Sequence, residues 1–441
     1  MNVQAIRELL SELNPNASFF DVGEGNFSCN VANATEEQCK ALIDRLTTLG
    51  FSSCFSNRIG ASRFETFVDG DSFVHVMFHP AIATLRVTYG PKAYLPSTTS
   101  PVYERKVSPT IIQMQMQMVD NSIVCDSISG LITANRGAPG MSYLLQVADG
   151  RFVMIDGGNQ DGYVTPAVLN ERGDFFVSEK IKTEDAKRLY DTMCAMTPED
   201  FEKPVIASWL ITHAHGDHMT LASDFLKTYR DQVVVEQMGF NFLNIEKDFS
   251  GIIPIWVNDF RTAVKACSPD AETWIFHAGQ KLLLPDCTIE VIFTAEDFMC
   301  TGNPLGDANN LSAVFRITIG KTVFMVLGDT YPISQTIMRD AYRDALKCDI
   351  LQISHHGFDG SGTARGWYES MDPKICLWPC DEFRFRKDRR NLGNAQEGHL
   401  FFSHYWLRNT PWVRGDVVGE RQHYTASYTT VIDAESGKKI N

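Results

Sequence analysis

The chain has 441 residues, of which 44% are hydrophobic and 21% are charged, and its formal net charge is -14 at pH 7. This length exceeds that of a typical single domain, and the composition excludes disordered and fibrous proteins. The negative charge argues against nonspecific binding of nucleic acid, because phosphate binding depends on clustered Lys and Arg.

The sequence of residues 1–95 predicts a small α+β module. Helical apolar spacing covers 3–13 and 35–49, whereas 63–68, 72–78 and 84–89 have the patterns of strands. Four prolines punctuate the next stretch, and we interpret 96–110 as a linker. The remaining 111–441 are predicted to form the main domain.

The main domain begins with a period-two pattern, in which Ile112, Met114, Met116 and Met118 alternate with glutamines. This pattern predicts a strand with one buried face. A hairpin is expected around Asp149-Gly150. Helices are then predicted over 180–196, 219–229, 258–266 and 334–346, and strands over 205–212, 233–237, 274–277, 288–294, 312–319, 322–327, 350–354, 374–378 and 428–432. Such an order favours two sheets packed face to face with helices outside.

The amino-terminal segment carries Glu8 and has no unbroken apolar run, so no secretory signal is expected. No stretch approaches the roughly 20 apolar residues of a membrane span. The 11 cysteines are scattered, which fits a reducing compartment. The closest pair, Cys376 and Cys380, is more typical of core and loop thiols than of a zinc knuckle. These features predict a cytoplasmic protein.

The strongest chemical signal is the run His213-Ala-His215-Gly-Asp217-His218, which directly follows an apolar strand. At a strand end the chain can curl so that neighbouring side chains converge. Imidazole nitrogens of His213 and His215 can bind one cation, while Asp217 and His218 face a second one. The pattern therefore predicts a metal-binding loop.

One loop cannot complete two metal sites, because each cation needs three or four protein ligands. Asp329 ends a buried-type strand in Gly-Asp and could bridge the two cations. His355 and His356 end another apolar strand, and one of them should bind the second metal. The other could line the substrate pocket, and the spacing leaves open which is which.

The order of these motifs resembles the metallo-β-lactamase superfamily, and within it the branch of the DNA-uptake competence-channel hydrolase domain and the phosphorylcholine esterases. The resemblance covers roughly 111–440 and leaves 1–95 unexplained. The motifs that carry it are Asp156-Gly-Gly, Thr212-His213-x-His215-x-Asp217-His218, Asn309-Asn310-Leu-Ser, Leu327-Gly328-Asp329 and Ser354-His355-His356-Gly357.

The resemblance implies an αββα metallo-β-lactamase sandwich with the metals at one edge of the sheets. It assigns His213 and His215 to the first metal, Asp217 and His218 to the second, and Asp329 to both. Many family members have a further histidine before the bridging aspartate, and this chain offers only His277, which lies early. Asn309 or Asn310 would then complete the first site. Asp156 would hold the histidine loop by hydrogen bonds.

These residues predict metal-assisted hydrolysis by a water that two divalent ions activate. Zinc is favoured, with manganese and iron as alternatives, because His and Asp sites accept all three. Asp217 or Asp329 would orient the water, and a histidine that is not a ligand, His355 or His356, would protonate the leaving group.

The expected substrate is a phosphodiester or another phosphorylated small molecule. Arg384 and Arg386 belong to a basic cluster that is either a solvated loop or an anion-binding rim. His399 is either a packing residue or a late contributor to the active site. The alternatives are an acyl hydrolase acting on a β-lactam, lactone or thioester, a non-catalytic binding protein on the same fold, and a redox protein with a di-iron centre.

Overall fold

The computed structural model describes most of the chain. The described residues are 3–13, 17–23, 25–96, 103–116, 123–125, 132–134, 140–159, 161–164, 168–169, 175–176, 179–182, 184–242, 254–299, 308–357, 364, 366–380 and 421–441. Three predicted substrate contacts, Arg384, Arg386 and His399, lie outside the described residues.

The first part of the chain forms an antiparallel sheet with helices packed on one face. Its elements are α1 (Val3–Leu13), β1 (Ser18–Gly23), β2 (Asn26–Ala32), α2 (Glu36–Thr48), β3 (Ser52–Ile59), β4 (Ser62–Asp69), β5 (Ser72–His79) and β6 (Thr84–Pro91). The sheet order is β1-β2-β6-β5-β4-β3. Helix α2 begins at a capping box, in which Thr35 and Gln38 each bond the other's backbone N–H through a side-chain oxygen. Leu10 and Leu42 from the two helices pack with Val74 in one apolar core.

The rest of the described chain alternates strands and helices. In chain order the elements are β7 (Thr110–Gln113), β8 (Ile123–Cys125), β9 (Ile132–Ala134), β10 (Tyr143–Gln146), β11 (Phe152–Ile155), β12 (Asp161–Val164), β13 (Val168–Leu169), β14 (Phe175–Phe176), β15 (Glu179–Lys182), α3 (Asp185–Met196), β16 (Val205–Leu210), α4 (Gly216–Tyr229), β17 (Val234–Val235), β18 (Gln237–Phe240), α5 (Pro254–Cys267), β19 (Glu272–Ile275), β20 (Lys281–Leu284), β21 (Cys287–Phe293), α6 (Ala295–Met299), β22 (Val314–Ile319), β23 (Thr322–Val326), α7 (Pro332–Tyr342), β24 (Ile350–Gln352), α8 (Trp367–Met371), β25 (Ile375–Trp378), β26 (Gln422–Thr425), β27 (Thr430–Asp433) and β28 (Lys438–Lys439). Short 3₁₀ turns lie at Ala308–Leu311, Arg343–Leu346 and Ser354–Gly357.

Two large sheets form the centre of this part. The first runs β19-β18-β16-β11-β10-β7-β27-β28, with β17 also paired to β16, and the second runs β20-β21-β22-β23-β24-β25-β26. Their facing sides share one apolar core, to which the first sheet contributes Leu145 and Val153 and the second Phe315 and Val326. Burial of these apolar side chains favours face-to-face packing.

Helices cover the outer faces of both sheets. Phe225 of α4 and Phe260 of α5 pack against Trp209 in the first sheet. Met338 of α7 and Trp367 of α8 share an apolar core with the second sheet. The layers therefore run helix, sheet, sheet, helix, and the predicted α+β class with an αββα sandwich is confirmed.

Parallel strands in both sheets determine where the candidate site lies. Strands β11, β16, β18 and β19 run parallel in the first sheet, and β23, β24, β25 and β26 run parallel in the second. Ligands of open α/β sheets bind beyond the carboxyl ends of such strands. Asp156, His213, Asp329 and His356 each follow a carboxyl end within four residues.

A cluster of buried polar side chains joins the amino-terminal sheet to the sandwich. Arg86 of β6 donates to Asp297 of α6 over 2.7 Å and lies 3.6 Å from Glu296. The Oε1 atom of Glu296 lies 2.5 Å from Nδ1 of His277. We name Arg86, His277, Glu296 and Asp297 the docking cluster, and all four are buried. The division into 1–95, 96–110 and 111–441 stays a prediction.

The methionine strand and the helix predicted from residue 180 both differ from the structure. The methionine strand ends at Gln113, because the backbone N–H groups of Met114 and Met116 bond to segments around Ser142 and Ala426; both methionines remain buried. The helix predicted from residue 180 begins at Asp185, because β15 pairs with β12 as a strand.

Candidate metal centre

The loop after β16 brings its polar residues together within six positions. Nε2 of His213 lies 3.1 Å from Nδ1 of His215. Helix α4 begins at Gly216, so Asp217 and His218 occupy its first turn. His213 and His218 are buried, whereas His215 and Asp217 are half-buried and face the edge of the cluster.

Gly216 is required in this loop for a steric reason. A Cβ atom at this position would lie 2.9 Å from the indole ring of Trp256 on α5. That distance is shorter than a normal carbon–carbon contact, so the glycine allows α5 to pack directly over the loop.

Asp329 lies at the centre of the candidate site. It follows β23 through Gly328, which has a left-handed φ of 56° that glycine adopts without strain. Its Oδ2 atom lies 3.2 Å from Nε2 of His218, 3.4 Å from Nε2 of His356 and 3.8 Å from Nε2 of His213. Residues from both sheets therefore meet at this carboxylate.

His356 enters the cluster from the turn after β24, and its neighbour His355 does not. Nε2 of His356 lies 3.3 Å from Oδ2 of Asp217, and its Nδ1 lies 2.9 Å from the Pro379 carbonyl oxygen, which fixes the ring. The ring of His355 instead lies edge-on to Tyr331, with 5.2 Å between centroids. Of the two histidines, His356 is therefore the one placed to bind a metal.

Both histidines have left-handed backbones, with φ of 51° for His355 and 55° for His356. Two consecutive non-glycine residues in this region cost of order 1–3 kcal/mol each. This strained turn separates the two rings, sending one into the cluster and the other to its rim.

Two overlapping groups of potential ligands result. The ligand atoms of His213, His218 and Asp329 lie within 4.8 Å of one another, and so do those of Asp217, His218 and His356. His213, Asp217 and His218 of the predicted histidine loop are thus brought together with Asp329 and His356, whereas His215 contacts His213 and belongs to neither group.

Asp156 fixes the loop after β16 through hydrogen bonds. Its Oδ2 lies 2.6 Å from Nδ1 of His218 and accepts a hydrogen bond from the Thr212 hydroxyl, while its Oδ1 accepts one from the Thr212 backbone N–H. The carboxylate thereby leaves Nε2 of His218 facing the cluster. The sequence predicts hydrogen bonds from Asp156 to the histidine loop, and the structure adds Thr212 as one of its partners.

Asn309 and Asn310 are buried on the 3₁₀ turn beside the loop. The turn is fixed there because the N–H of Ala313 donates to Thr212 and the Ser312 hydroxyl accepts from the N–H of Asp329. Nδ2 of Asn309 donates to the Tyr331 hydroxyl over 2.9 Å.

Sequence reasoning missed Tyr331 and the Pro379 carbonyl. Tyr331 follows Asp329 by two positions, and that proximity is the signal that could have identified it. The role of Pro379 is carried by its backbone oxygen, so its side chain gives no signal.

The buried carboxylates of this cluster require nearby positive charge. Burial alone would raise the pKa of Asp329, but the adjacent His218 and His356 hold it well below its ordinary value. Burial lowers the pKa of His356, but Asp329 and Asp217 outweigh burial and raise it to about 9. Protons on these histidines thus balance the carboxylates, and a divalent cation would meet the same demand while releasing protons.

The donor set fits divalent ions. Oδ1 of Asp329 is buried and has no hydrogen-bond partner within the described part of the chain. Imidazole nitrogens and carboxylate oxygens in one cluster suit zinc, manganese and iron. The residues present therefore match the predicted metal chemistry.

No protein-family model and no curated protein sequence matches the chain. Similar solved structures include the metallo-beta-lactamase fold protein YhfI from Bacillus subtilis, which is 11% identical, with a TM-score of 0.36 and coverage of 73% of this chain and 98% of that one. A mutant of the CmlA beta-hydroxylase is 11% identical, with a TM-score of 0.38 and coverage of 75% and 55%. Zn²⁺-bound PqqB from Methylobacterium extorquens is 11% identical, with a TM-score of 0.33 and coverage of 59% and 80%. At scores this low, the fold assignment rests on the strand order and layers of the chain itself.

Within the described residues, no helix combines the length and apolar character needed to cross a membrane.

Proposed function

We propose that the chain is a metal-dependent hydrolase. The observation that carries the proposal is the convergence of three imidazoles, from loops of both sheets, around Oδ2 of Asp329, with Asp217 3.3 Å from one of them, His356. A buried set of this kind without a fixed cation of its own is typical of a metal centre rather than of a structural ion pair.

The ligand assignment follows from these positions. His213 and His215 would hold one divalent ion, Asp217, His218 and His356 a second, and Asp329 both, with Asn309 or Asn310 completing the first position. Zinc is the favoured metal. When bound, two such ions supply Lewis acidity and make water available as a nucleophile near neutral pH.

Asp217 is placed to act on the attacking water. Burial would raise its pKa, but His218 and His356 lower it, so the carboxylate is ionised at neutral pH. It is half-buried and can therefore orient a water at the open side of the cluster. His355, at the rim, can donate a proton to the leaving group.

A phosphodiester or phosphorylated small molecule is the proposed substrate class. The motif order resembles the phosphodiesterase-like branch described above, and the predicted contacts Arg384, Arg386 and His399 would add positive charge for an anionic substrate. A cytoplasmic location is proposed together with this class.

A substrate panel on metal-loaded protein tests the proposal. Protein stripped with a chelator and reloaded with Zn²⁺ or Mn²⁺ should hydrolyse bis-p-nitrophenyl phosphate, and elemental analysis should find two ions per chain. Asp191→Asn, which changes an exposed carboxylate on α3, is the matched control for Asp329→Ala.

Other outcomes would replace the proposal. Hydrolysis of nitrocefin, a lactone or a thioester, with silence on phosphodiesters, would favour the acyl hydrolase. A protein that binds two ions but hydrolyses none of these substrates would favour the binding protein.

A further inference from the structure

Gln352 is a polar residue at the end of a strand that is otherwise apolar. The other residues of β24 are fully buried, Ile350 in the core between the two sheets and Leu351 in the core shared with α7 and α8. Successive side chains of a strand alternate between its faces, so Gln352 lies on the same side as Ile350, toward the first sheet. Burying a carboxamide there costs free energy unless it is hydrogen-bonded. Its partners therefore indicate why this position is polar.

The Gln352 carboxamide bonds to backbone groups that flank the candidate metal ligands. Its Oε1 accepts from the N–H of Leu327 over 2.6 Å, and its Nε2 donates to the carbonyl oxygens of Gly328 over 2.9 Å and Ile353 over 2.7 Å. The first two of these residues directly precede Asp329, whereas the third directly precedes the turn that carries the ligand histidine. One side chain thus connects the two loops that supply these ligands.

This connection begins where the strand ladder ends. The pairing of β23 with β24 ends at Met325 and Leu351. Two residues later, the N–H of Leu327 bonds to the Gln352 side chain. A carboxamide offers both an acceptor and a donor, as a peptide group of a neighbouring strand does, whereas a carboxylate has no proton to donate to a carbonyl oxygen. Gln352 therefore extends the pairing of the two segments up to the residue before Asp329.

Two further hydrogen bonds attach the segment around Asp329. The N–H of His355 donates to the Gly328 carbonyl over 3.1 Å, and the Ser354 hydroxyl donates to the Thr330 carbonyl over 2.8 Å. The residues before and after the aspartate are therefore both bonded to the turn that follows β24. This double attachment fixes the backbone from which the two ligand side chains meet.

We infer that Gln352 is a positioning residue of the metal centre, which sets the spacing of the Asp329 carboxylate and the His356 imidazole by joining the backbones that carry them. Oδ2 of the aspartate lies 3.4 Å from Nε2 of the histidine. An ion binds more tightly to ligands that are held in place beforehand, because less ordering accompanies binding. The inference rests on the proposed function and concerns binding of the ion, not contact with the substrate.

The test compares Gln352→Met with Gln146→Met in the full-length protein. Methionine keeps the length of the side chain and removes the carboxamide at both positions. Gln146 is likewise buried, and its Nε2 donates to the Met196 carbonyl over 2.7 Å. It pairs with Phe152 at the start of β11, about 13 Å along that strand from Asp156 at 3.3 Å per residue. The control therefore makes the same change away from the metal ligands.

The affinity for Zn²⁺, measured by competition with a chromophoric chelator, should fall roughly 10- to 100-fold in Gln352→Met, the range usual when a residue that orients metal ligands is changed. The visible absorption spectrum of the Co²⁺-loaded protein should also change, because it reports the geometry of the ligands. Gln146→Met should match the wild type in both measurements and lower only the urea midpoint, since it unpairs backbone away from the ligands.

Gln352→Asn decides the question if Gln352→Met does not fold. It keeps the carboxamide but is one methylene shorter, so it cannot reach the backbone of both loops. The affinity for Zn²⁺ should fall in this variant as well, and wild-type affinity would overturn the inference.

The remaining outcomes separate this inference from the proposed function. A wild type that binds metal, with Gln352 variants of equal affinity and equal Co²⁺ spectrum, would overturn the positioning role and leave the proposed function standing. An equal loss of affinity in Gln146→Met would also overturn the positioning role, because the loss would then follow from general destabilisation. A wild type that binds metal but hydrolyses no substrate would overturn the proposed function alone. A wild type that binds no metal would overturn both.

Discussion

The metal centre and the docking cluster each place a carboxylate against a buried histidine. Oδ2 of Asp156 lies 2.6 Å from Nδ1 of His218, and Oε1 of Glu296 lies 2.5 Å from Nδ1 of His277. The docking cluster contains a permanent cation, since Arg86 contacts both of its carboxylates. Among the described residues around Asp329, the positive charge is supplied only by histidines that can release their protons.

This difference shows that a buried histidine–carboxylate pair is not by itself evidence of a metal. An arginine is always charged and cannot be displaced by an ion, so it commits its carboxylates to structure. Imidazoles can exchange a proton for a metal, so they leave the site available. The same residue types are therefore expected to give opposite results when a charged residue of each cluster is replaced.

The largest effect is expected from Asp329→Ala. Removing the carboxylate shared by both ligand groups should lower metal content and reduce kcat/KM by about a thousandfold or more, because several kcal/mol of charge stabilisation are lost. The fold should persist, since the apolar core between the two sheets does not include this carboxylate. Elemental analysis, circular dichroism and hydrolysis of bis-p-nitrophenyl phosphate measure the three effects. Wild-type activity in the variant would refute the central position of Asp329.

Arg86→Met should have the opposite profile. It leaves Glu296 and Asp297 buried without their cation, which costs about 3–5 kcal/mol of unfolding free energy. Urea unfolding in the presence of a chelator measures this loss, and metal content at low urea should equal that of the wild type. Arg105→Met, at an exposed ion pair, is the control and should change stability by less than about 1 kcal/mol. A similarly small loss in Arg86→Met would show that the cluster does not hold the amino-terminal sheet.

The sequence predicts the metal centre better than the docking cluster for a physical reason. Ligands from His213 to His218 are contiguous, and Asp329 and His356 each follow a recognisable apolar strand. The choice between His355 and His356 depends on two left-handed backbone conformations, which the residue types do not specify. Arg86 and Asp297 are 211 positions apart, and nothing local at either position indicates the other.

The fold shows the same limit. Period-two and apolar runs predict strands and two packed sheets, because burial on a face leaves a local pattern. Strand pairing at long range leaves no local pattern, as when Thr430 of β27 pairs with Gln113 of β7. The docking of the amino-terminal sheet likewise depends on side-chain contacts at long range, such as that of Arg86 with Asp297.

Acidic pH should destabilise the region around the docking cluster through the buried His75. Its Nε2 donates to the Ala278 carbonyl, and Arg86, His277 and Glu296 lie close to it. Burial lowers its pKa to about 3, whereas the unfolded chain has the ordinary value near 6.5. The unfolded state therefore binds the proton first, so the stability is present above pH 6.5 and is lost as the pH falls toward 3.

Between pH 7 and pH 5 this loss amounts to about 2 kcal/mol for His75. Urea unfolding of chelator-treated protein at both pH values measures it, and comparison with His75→Gln isolates this histidine from those of the metal centre. If the variant lost as much stability on acidification as the wild type, another group would be responsible.

Asp156→Asn and Glu296→Gln make the same isosteric change in the two clusters and so compare them directly. Asp156 has a left-handed φ of 54°, which asparagine tolerates, so the substitution mainly alters the partner of His218. Metal affinity should fall roughly 10- to 100-fold, as is usual when a residue that orients a ligand histidine is changed. Glu296→Gln removes a charge that Arg86 and His277 require, so it should lower the urea midpoint and leave metal affinity unchanged. Competition with a chromophoric chelator measures affinity in both variants. Equal losses of metal affinity would mean that the two clusters are coupled through the sandwich. The distinction between histidine protons, which a metal can displace, and the permanent charge of Arg86 would then no longer explain the roles of the two clusters.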